Sequence, residues 1–245
     1  MIKKILRHPL YALKVACGFV AYKYALLINK PYFGIWMEAH QCHPPRQRSM
    51  RMLARRKALE DSRPFYVLEI GAWAGVSTSI WAKVAKEYNG KVYVIDTWKT
   101  TDNAPLAMRM ATKNDGIFKL FCHNITSAGL EDSVIILRGT SDDKLLHVKQ
   151  FGIKFDLIYV DGDHSYSQVK KDLENCLLLL RDGGVICGDD LEMQYEDSEK
   201  EFTYQNKERD YINDPITGEG YHPGVTVAVA EVLGTVEVEN GFWWK

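Results

Sequence analysis

Two short apolar runs in the 245-residue chain each end in a cluster of acids. Leu157-Ile158-Tyr159-Val160 leads into Asp161-Gly162-Asp163-His164, and Gly184-Val185-Ile186-Cys187-Gly188 leads into Asp189-Asp190. An uninterrupted apolar run of strand length reads as a strand buried on both faces of a parallel sheet, and ligands bind beyond the carboxyl ends of such strands. Neighbouring strands lie about 4.8 Å apart, so carboxylates at two adjacent ends can converge on one hard cation. A metal site is the first reading; turn and capping chemistry is the plain alternative.

A second constellation lies upstream. Tyr66-Val67-Leu68-Glu69-Ile70-Gly71-Ala72-Trp73-Ala74-Gly75-Val76-Ser77 reads as a strand, a glycine turn and a helix start. Gly71 and Gly75 let the backbone pass close to a ligand, and the helix that follows offers free N–H groups at its N-terminus. The spacing is G-x-x-x-G with an acid two residues before the first glycine, which is not the dinucleotide fingerprint. Asp96, at the end of the next strand, is placed to accept hydrogen bonds from both hydroxyls of a ribose. Glu69 would repel a pyrophosphate but tolerate a cation, such as a sulfonium that carries an amino acid and an adenosine.

These residues resemble the class I S-adenosylmethionine-dependent methyltransferases, whose first motif E/D-x-G-x-x-x-G matches Glu69, Gly71 and Gly75. The resemblance runs from about Phe65 to Lys245. It sharpens at Val160-Asp161-Gly162-Asp163-His164-Ser165-Tyr166 and at Gly183 to Asp190, which look like a metal-dependent O-methyltransferase group acting on macrolide sugars and aminocoumarins. That likeness implies magnesium, or another divalent cation, on Asp161, Asp189 and Asp190. It implies Asp163 as general base, with His164 as a rival because those enzymes carry other residues at its position. It also implies a cofactor pocket drawn from Glu69, Gly71, Ala72, Gly75, Ser77, Asp96, Trp98, Ser141, Asp142 and Asp161, although Trp73 and Trp98 are equally readable as core. The implied activity is O-methylation of a hydroxyl on a sugar, a glycan or a small secondary metabolite. A nicotinamide-dependent oxidoreductase is a rival, disfavoured by Glu69 and by the missing G-x-G-x-x-G. A non-catalytic binding or assembly protein that keeps the fold is another.

The frame for these residues is an alternation of strands and helices from Phe65 onward, the pattern of a parallel α/β sheet. Strands fall at 66–70, 92–95, 134–137, 157–160 and 185–187, with helices at 77–88, 108–121, 142–150, 167–180 and 225–233. Residues 235–245 read as a hairpin turning at Asn240-Gly241. The resemblance gives this body, residues 64–245, a Rossmann-like methyltransferase fold: a mostly parallel seven-stranded sheet whose antiparallel last strand, 242–245, is inserted next to the fifth. Residues 192–222 are polar and tyrosine-bearing, and read as a lid.

Residues 1–63 form a separate, helical and basic appendage, with 13 Lys/Arg against 3 Asp/Glu, while the remainder holds 18 against 29. Within it Leu10, Leu13, Cys17, Val20, Tyr24 and Leu27 recur at spacings of three and four, an apolar seam on a helix that starts near Pro9. Arg7, Lys14 and Lys23 interrupt the apolar segment 5–28, so it is too short to span a bilayer. Docking on the body, pairing in a homodimer and lying on an anionic membrane surface all remain open for it. A second helix, 46–60, is strongly basic, yet nucleic acid is not expected as a partner. Five scattered cysteines without a C-x-x-C pair suggest reduced thiols and a cytoplasmic setting, with the inner membrane face as the peripheral variant. His40-Gln41-Cys42-His43 lacks a second ligand pair at zinc-finger spacing.

Overall fold

The computed structural model describes residues 9–40, 44–60, 63–101 and 104–245. Gln41, Cys42 and His43 of the histidine–cysteine cluster, residues 61–62 beyond the basic helix and residues 5–8 of the apolar segment lie outside them. Two N-terminal helices, α1 (Pro9–Leu27) and α2 (Pro44–Leu59), precede the alternating body. The body then runs β1 (Tyr66–Ile70), α3 (Val76–Glu87), β2 (Lys91–Asp96), α4 (Leu106–Thr112), α5 (Gly116–Ser127), β3 (Val134–Arg138) and α6 (Ser141–Gln150). It continues through β4 (Phe155–Val160), α7 (Tyr166–Leu177), β5 (Leu180–Gly188), α8 (Lys200–Gln205), β6 (Ile212–Asn213), β7 (Gly220–Tyr221), α9 (Pro223–Leu233), β8 (Glu237–Glu239) and β9 (Phe242–Trp244).

The main sheet has the order β3-β2-β1-β4-β5-β9-β8. β1 to β5 are parallel, and β9 runs antiparallel to β5 with Gly188 opposite Trp243. This is the inserted last strand that the family resemblance implied. Asn240 and Gly241, with φ of 54° and 82°, make the turn between β8 and β9, a geometry that favours such residues. The chain leaves β1 in one direction toward β3 and returns to β4 on its other side, so a crevice opens at the carboxyl ends of β1 and β4. All six residues of β4 are buried, as a central strand covered on both faces requires. Val67, Val92, Leu157 and Tyr159 face Met50, Trp81 and Phe121 on α2, α3 and α5; Leu68, Ile70, Ile158 and Ile186 face Leu145, Leu173 and Val229 on α6, α7 and α9.

Four readings of the sequence change. The helix expected over 108–121 is two helices, because Asn114 and Asp115 adopt φ of 51° and 56° between them. Short polar side chains tolerate that left-handed region, and the Asn-Asp-Gly run uses it to turn the chain. The lid holds structure of its own: α8, capped by Glu199 Oε2 on the Phe202 N–H (2.6 Å), and a β6–β7 ribbon around Met193, Phe202, Ile212 and Tyr221. Met50, Leu53, Ala54 and Ala58 make α2 part of the same core as the sheet rather than an appendage.

The fourth change concerns α1. Its seam of Leu10, Leu13, Cys17, Val20, Tyr24 and Leu27 is exposed, and the opposite face, with Gly18, Tyr22, Ala25 and Leu26, packs on the body. Gly18 explains the choice. A Cβ there would stand 2.5 Å from Ile35 Cγ2, so only the small-residue face admits the chain that follows α1.

Candidate active site

β1 ends in the turn Gly71 to Gly75, and α3 starts immediately after it. Gly71 is fixed by space as well as by its φ of 84°, since a Cβ would stand 1.8 Å from the Asp161 carbonyl oxygen where β1 and β4 converge. Asp96 braces the turn: one of its oxygens accepts from the N–H groups of Ala72 (2.8 Å) and Trp73 (2.9 Å), and the other from Trp98 N–H (2.5 Å). Glu69 lies fully buried beneath it. Its Oε2 accepts from Thr78 Oγ1 at 2.5 Å, while Oε1 has no hydrogen-bond partner. Burial pushes the Glu69 pKa up to about 8, against the pull of the nearby Ser77 and Thr78 hydroxyls. A buried carboxylate with one orphaned oxygen is a receptor for a cationic donor such as an ammonium group.

At the neighbouring strand ends the acids gather as a second centre. Donor atoms of Asp161, His164 and Asp190 lie within 4.8 Å of one another. His164 bridges two carboxylates, with Nε2 3.0 Å from Asp190 and Nδ1 2.8 Å from Asp210 of the lid. Burial works against its charge, but Asp190 and Asp210 outweigh it and raise the pKa to about 11. Burial likewise opposes ionisation of Asp190, and the His164 contact overcomes it and holds that pKa low. Asp161 is the reverse case: burial and the nearby Asp189 and Asp190 push it well up, though Tyr159 OH donates to it at 2.9 Å. Asp189 rises to about 7 through burial and Asp190, despite an ion pair with Arg46. That arginine comes from the first turn of α2 and also donates to the Asn240 carbonyl at 3.0 and 3.2 Å.

Residues 192–222 and the N-terminal segment pack beside these two centres. The His222 ring lies 4.5 Å from that of His164, and its Nδ1 is 3.1 Å from Glu192 at the start of the lid. Tyr166 N–H donates to the Lys207 carbonyl (3.1 Å), and Ser167 Oγ to Glu208 (3.1 Å), which ties the lid to the start of α7. On the other side, Asn124 Nδ2 donates to the carbonyls of Tyr32 (3.0 Å) and Ala74 (2.9 Å), and its Oδ1 accepts from Tyr32 N–H (2.8 Å). Trp73 Nε1 donates to the Met37 carbonyl at 3.1 Å.

The strand–glycine turn–helix and the acid-rich strand end both fall within residues 68–191, half of the chain, which a family model described as a methyltransferase domain matches. The chain belongs to this family. Solved structures share the fold of the methyltransferase. A protein from Staphylococcus aureus assigned as a caffeoyl-CoA O-methyltransferase aligns over 100% of this chain and 98% of its own, at 15% identity and a TM-score of 0.57. An O-methyltransferase from Bacillus cereus in complex with SAH aligns over 92% and 80%, at 18% identity and 0.55. CalS11, a calicheamicin methyltransferase, aligns over 82% and 79%, at 14% identity and 0.54. In looser matches the aligned share of the other chain falls to 65% and 46%. At such identities the likeness establishes the fold alone. No curated protein matches the sequence.

The methyltransferase places its sequence-predicted residues unevenly. Glu69, Gly71, Ala72, Gly75, Ser77 and Asp96 meet at the turn, and Asp161, His164 and Asp190 meet beside it. Asp189 stands apart from that metal-ligand geometry, because Arg46 already holds its Oδ2. Asp163 is exposed, and its Oδ1 accepts from Ser165 N–H at 2.8 Å, the turn chemistry that was the plain alternative. Trp98 is core rather than pocket: its ring lies 4.7 and 4.8 Å from Phe118 and Phe121, fully buried. Ser141 and Asp142 open α6 and are tied to α7, through Gln168 at 3.0 and 3.3 Å and through Lys171 at 2.6 Å from Asp142. The sequence reading did not reach Arg46, Tyr159, Glu192 or Asp210. In the sequence His222 is a weaker candidate than His164, signalled only by its position next to Pro223 at the end of residues 192–222.

Proposed function

We propose that the chain is an S-adenosylmethionine-dependent O-methyltransferase acting on a hydroxyl of a sugar, glycan or small secondary metabolite. The observation that carries this reading is the orphaned, buried Glu69 Oε1 on β1 together with the Asp161–His164–Asp190 cluster at the ends of β4 and β5. The Glu69 environment fits a cofactor that presents an ammonium group. Bound there, S-adenosylmethionine supplies an electrophilic methyl carbon on a sulfonium. Glu69 would hold the amino-acid end, the Gly71–Gly75 turn would let the backbone approach, and the start of α3 would offer its N–H groups. The cluster has to align the acceptor oxygen and remove its proton, because transfer is an in-line displacement that rewards orientation.

Of the two rival bases, His164 is favoured over Asp163 by position. Asp210 fixes Nδ1–H, so Nε2 is the atom that can exchange its contact with Asp190 for an acceptor hydroxyl, an orienting acid behind a histidine as in hydrolytic triads; a base has to be neutral, so the exchange must also withdraw the Asp190 contact that keeps the imidazole protonated. Asp163 lines the same cavity as His164, but its Oδ1 is engaged by the Ser165 N–H and among the described residues no second acid orients it. A divalent cation also fits: Asp161 and Asp190 would hold it, with His164 as the third donor in place of Asp189, and it would supply charge stabilisation to the acceptor oxygen. An imidazole among the donors suits manganese, zinc or iron better than magnesium. The Arg46–Asp189 pair favours a second reading, in which a guanidinium supplies positive charge at the acid cluster and no metal is required.

Isothermal calorimetry with S-adenosylhomocysteine, alone and with Mg²⁺ or Mn²⁺, tests the proposal. Binding of the cofactor product supports it, and failure to bind under any of these conditions overturns it. Turnover after exhaustive chelation separates the two readings of the acid cluster.

A further inference from the structure

We propose that the outward face of α1 seats the protein on an anionic membrane surface. Leu10, Leu13, Val20, Tyr24 and Leu27 recur at helical spacing along one side and are each between 61% and 83% exposed. Soluble proteins rarely leave a contiguous apolar strip of this kind without a partner. The body cannot cover it, because the opposite face of the same helix is already packed there: Phe19 lies 4.8 Å from Trp36 and Tyr22 5.6 Å from Tyr32, ring to ring.

Charge identifies the occupant. The first 37 residues contain six Lys/Arg and no Asp or Glu. On a helix at 100° per residue, Lys14 and Lys23 lie about 90° to either side of the strip, where long basic side chains can reach lipid headgroups while the strip enters the acyl boundary. A second copy is the weaker fit. Two α1 helices meeting across a two-fold axis would bring their lysines together with no acid on either helix to pair them. Crossing the bilayer is not the mode either, since no helix of the described residues is long and apolar enough.

The seat would be mechanically linked to the cofactor turn. α1 leads into the 29–40 segment, whose Met37 carbonyl accepts from Trp73 and whose Tyr32 is clamped by Asn124. Attachment through α1 would hold that rim at a defined distance from the lipid.

The test is flotation of the full chain with vesicles of phosphatidylcholine alone or with 30 mol% phosphatidylglycerol. We expect at least tenfold more bound protein on the anionic vesicles, lost in 0.5 M NaCl. Val20→Glu with Tyr24→Glu, and separately Lys14→Glu with Lys23→Glu, should each reduce binding at least tenfold while circular dichroism and thermal midpoint stay as in wild type. Equal binding of wild type and both variants overturns the proposal, as does absence of binding to anionic vesicles. It is overturned too if light scattering shows a dimer that the Val20→Glu, Tyr24→Glu variant converts to a monomer, because a second copy then covers the strip.

Discussion

Glu69→Gln separates a cofactor receptor from a structural acid. The side chain is fully buried, and burial raises its pKa from 4.5 to about 8. Between those values the folded protein holds a proton that the unfolded chain has released, so stability falls as pH rises through this window. Each unit is worth about 1.36 kcal/mol where the gap is fully open, and integrating from pH 6 to 8.5 gives a loss of about 2.5 kcal/mol from this group. Glutamine keeps an acceptor for Thr78 and carries no charge, so the variant lacks that loss. Urea denaturation at a series of pH values should show wild type falling below the variant by about this amount over the window. Other buried acids titrate in both proteins and cancel in the difference. Calorimetry with S-adenosylhomocysteine should show the opposite preference, with affinity about 100-fold weaker in the variant, the scale of a lost hydrogen bond to a charged group. Parallel pH–stability profiles, or undiminished binding by the variant, would refute the reasoning.

Arg46→Met should cost about 1 kcal/mol through the lost ion pair at pH 7.5, because Asp189 has a pKa of about 7 even beside Arg46 and the stranded carboxylate takes up a proton. The loss should shrink at pH 5.5, below the Asp189 pKa of about 7, as read by urea denaturation at both pH values. His164→Gln should lower turnover at least 100-fold with cofactor-product affinity within twofold of wild type, whereas Asp163→Asn should stay within threefold in both; single-turnover assays decide, and the reverse order would make Asp163 the base. Asn124→Ala should cost about 2–3 kcal/mol, since it leaves buried groups of Tyr32 and Ala74 unpaired, and limited proteolysis should then cut faster within residues 29–40.

What could be read from the sequence was local. The two acid-ended strands, the Glu69-Gly71-Gly75 spacing and the Asn240-Gly241 hairpin each carry their meaning within a dozen residues. The break at Asn114-Asp115 was equally local, written in residues that tolerate positive φ, but the apolar period through it read as one helix. Arg46 could not be found this way. It reaches Asp189 across 143 positions, and nothing around a basic residue on a basic helix marks the one that enters the acid site. α1 failed for another reason: both of its faces are apolar, so period alone cannot say which is inside. Gly18 and Ala25 held the answer, because close packing selects small residues rather than large ones. Trp98 turned inward because its backbone, at φ 50°, reverses beside Asp96, a strain that no pattern of residue types announces.

The charges at the acid site explain why such different segments converge there. Acids outnumber bases there among the described residues: Asp161, Asp189, Asp190, Asp210 and Glu192 gather with Arg46, His164 and His222. The protein accommodates the excess by protonation: Asp161 is pushed well up and Asp189 to about 7, while Asp190 and Asp210, the partners of His164, are held low. It follows that α2 and the lid are not interchangeable as covers. α2 brings the positive charge that makes Asp189 tolerable inside, whereas the lid brings Asp210, which adds to the negative excess while it orients His164.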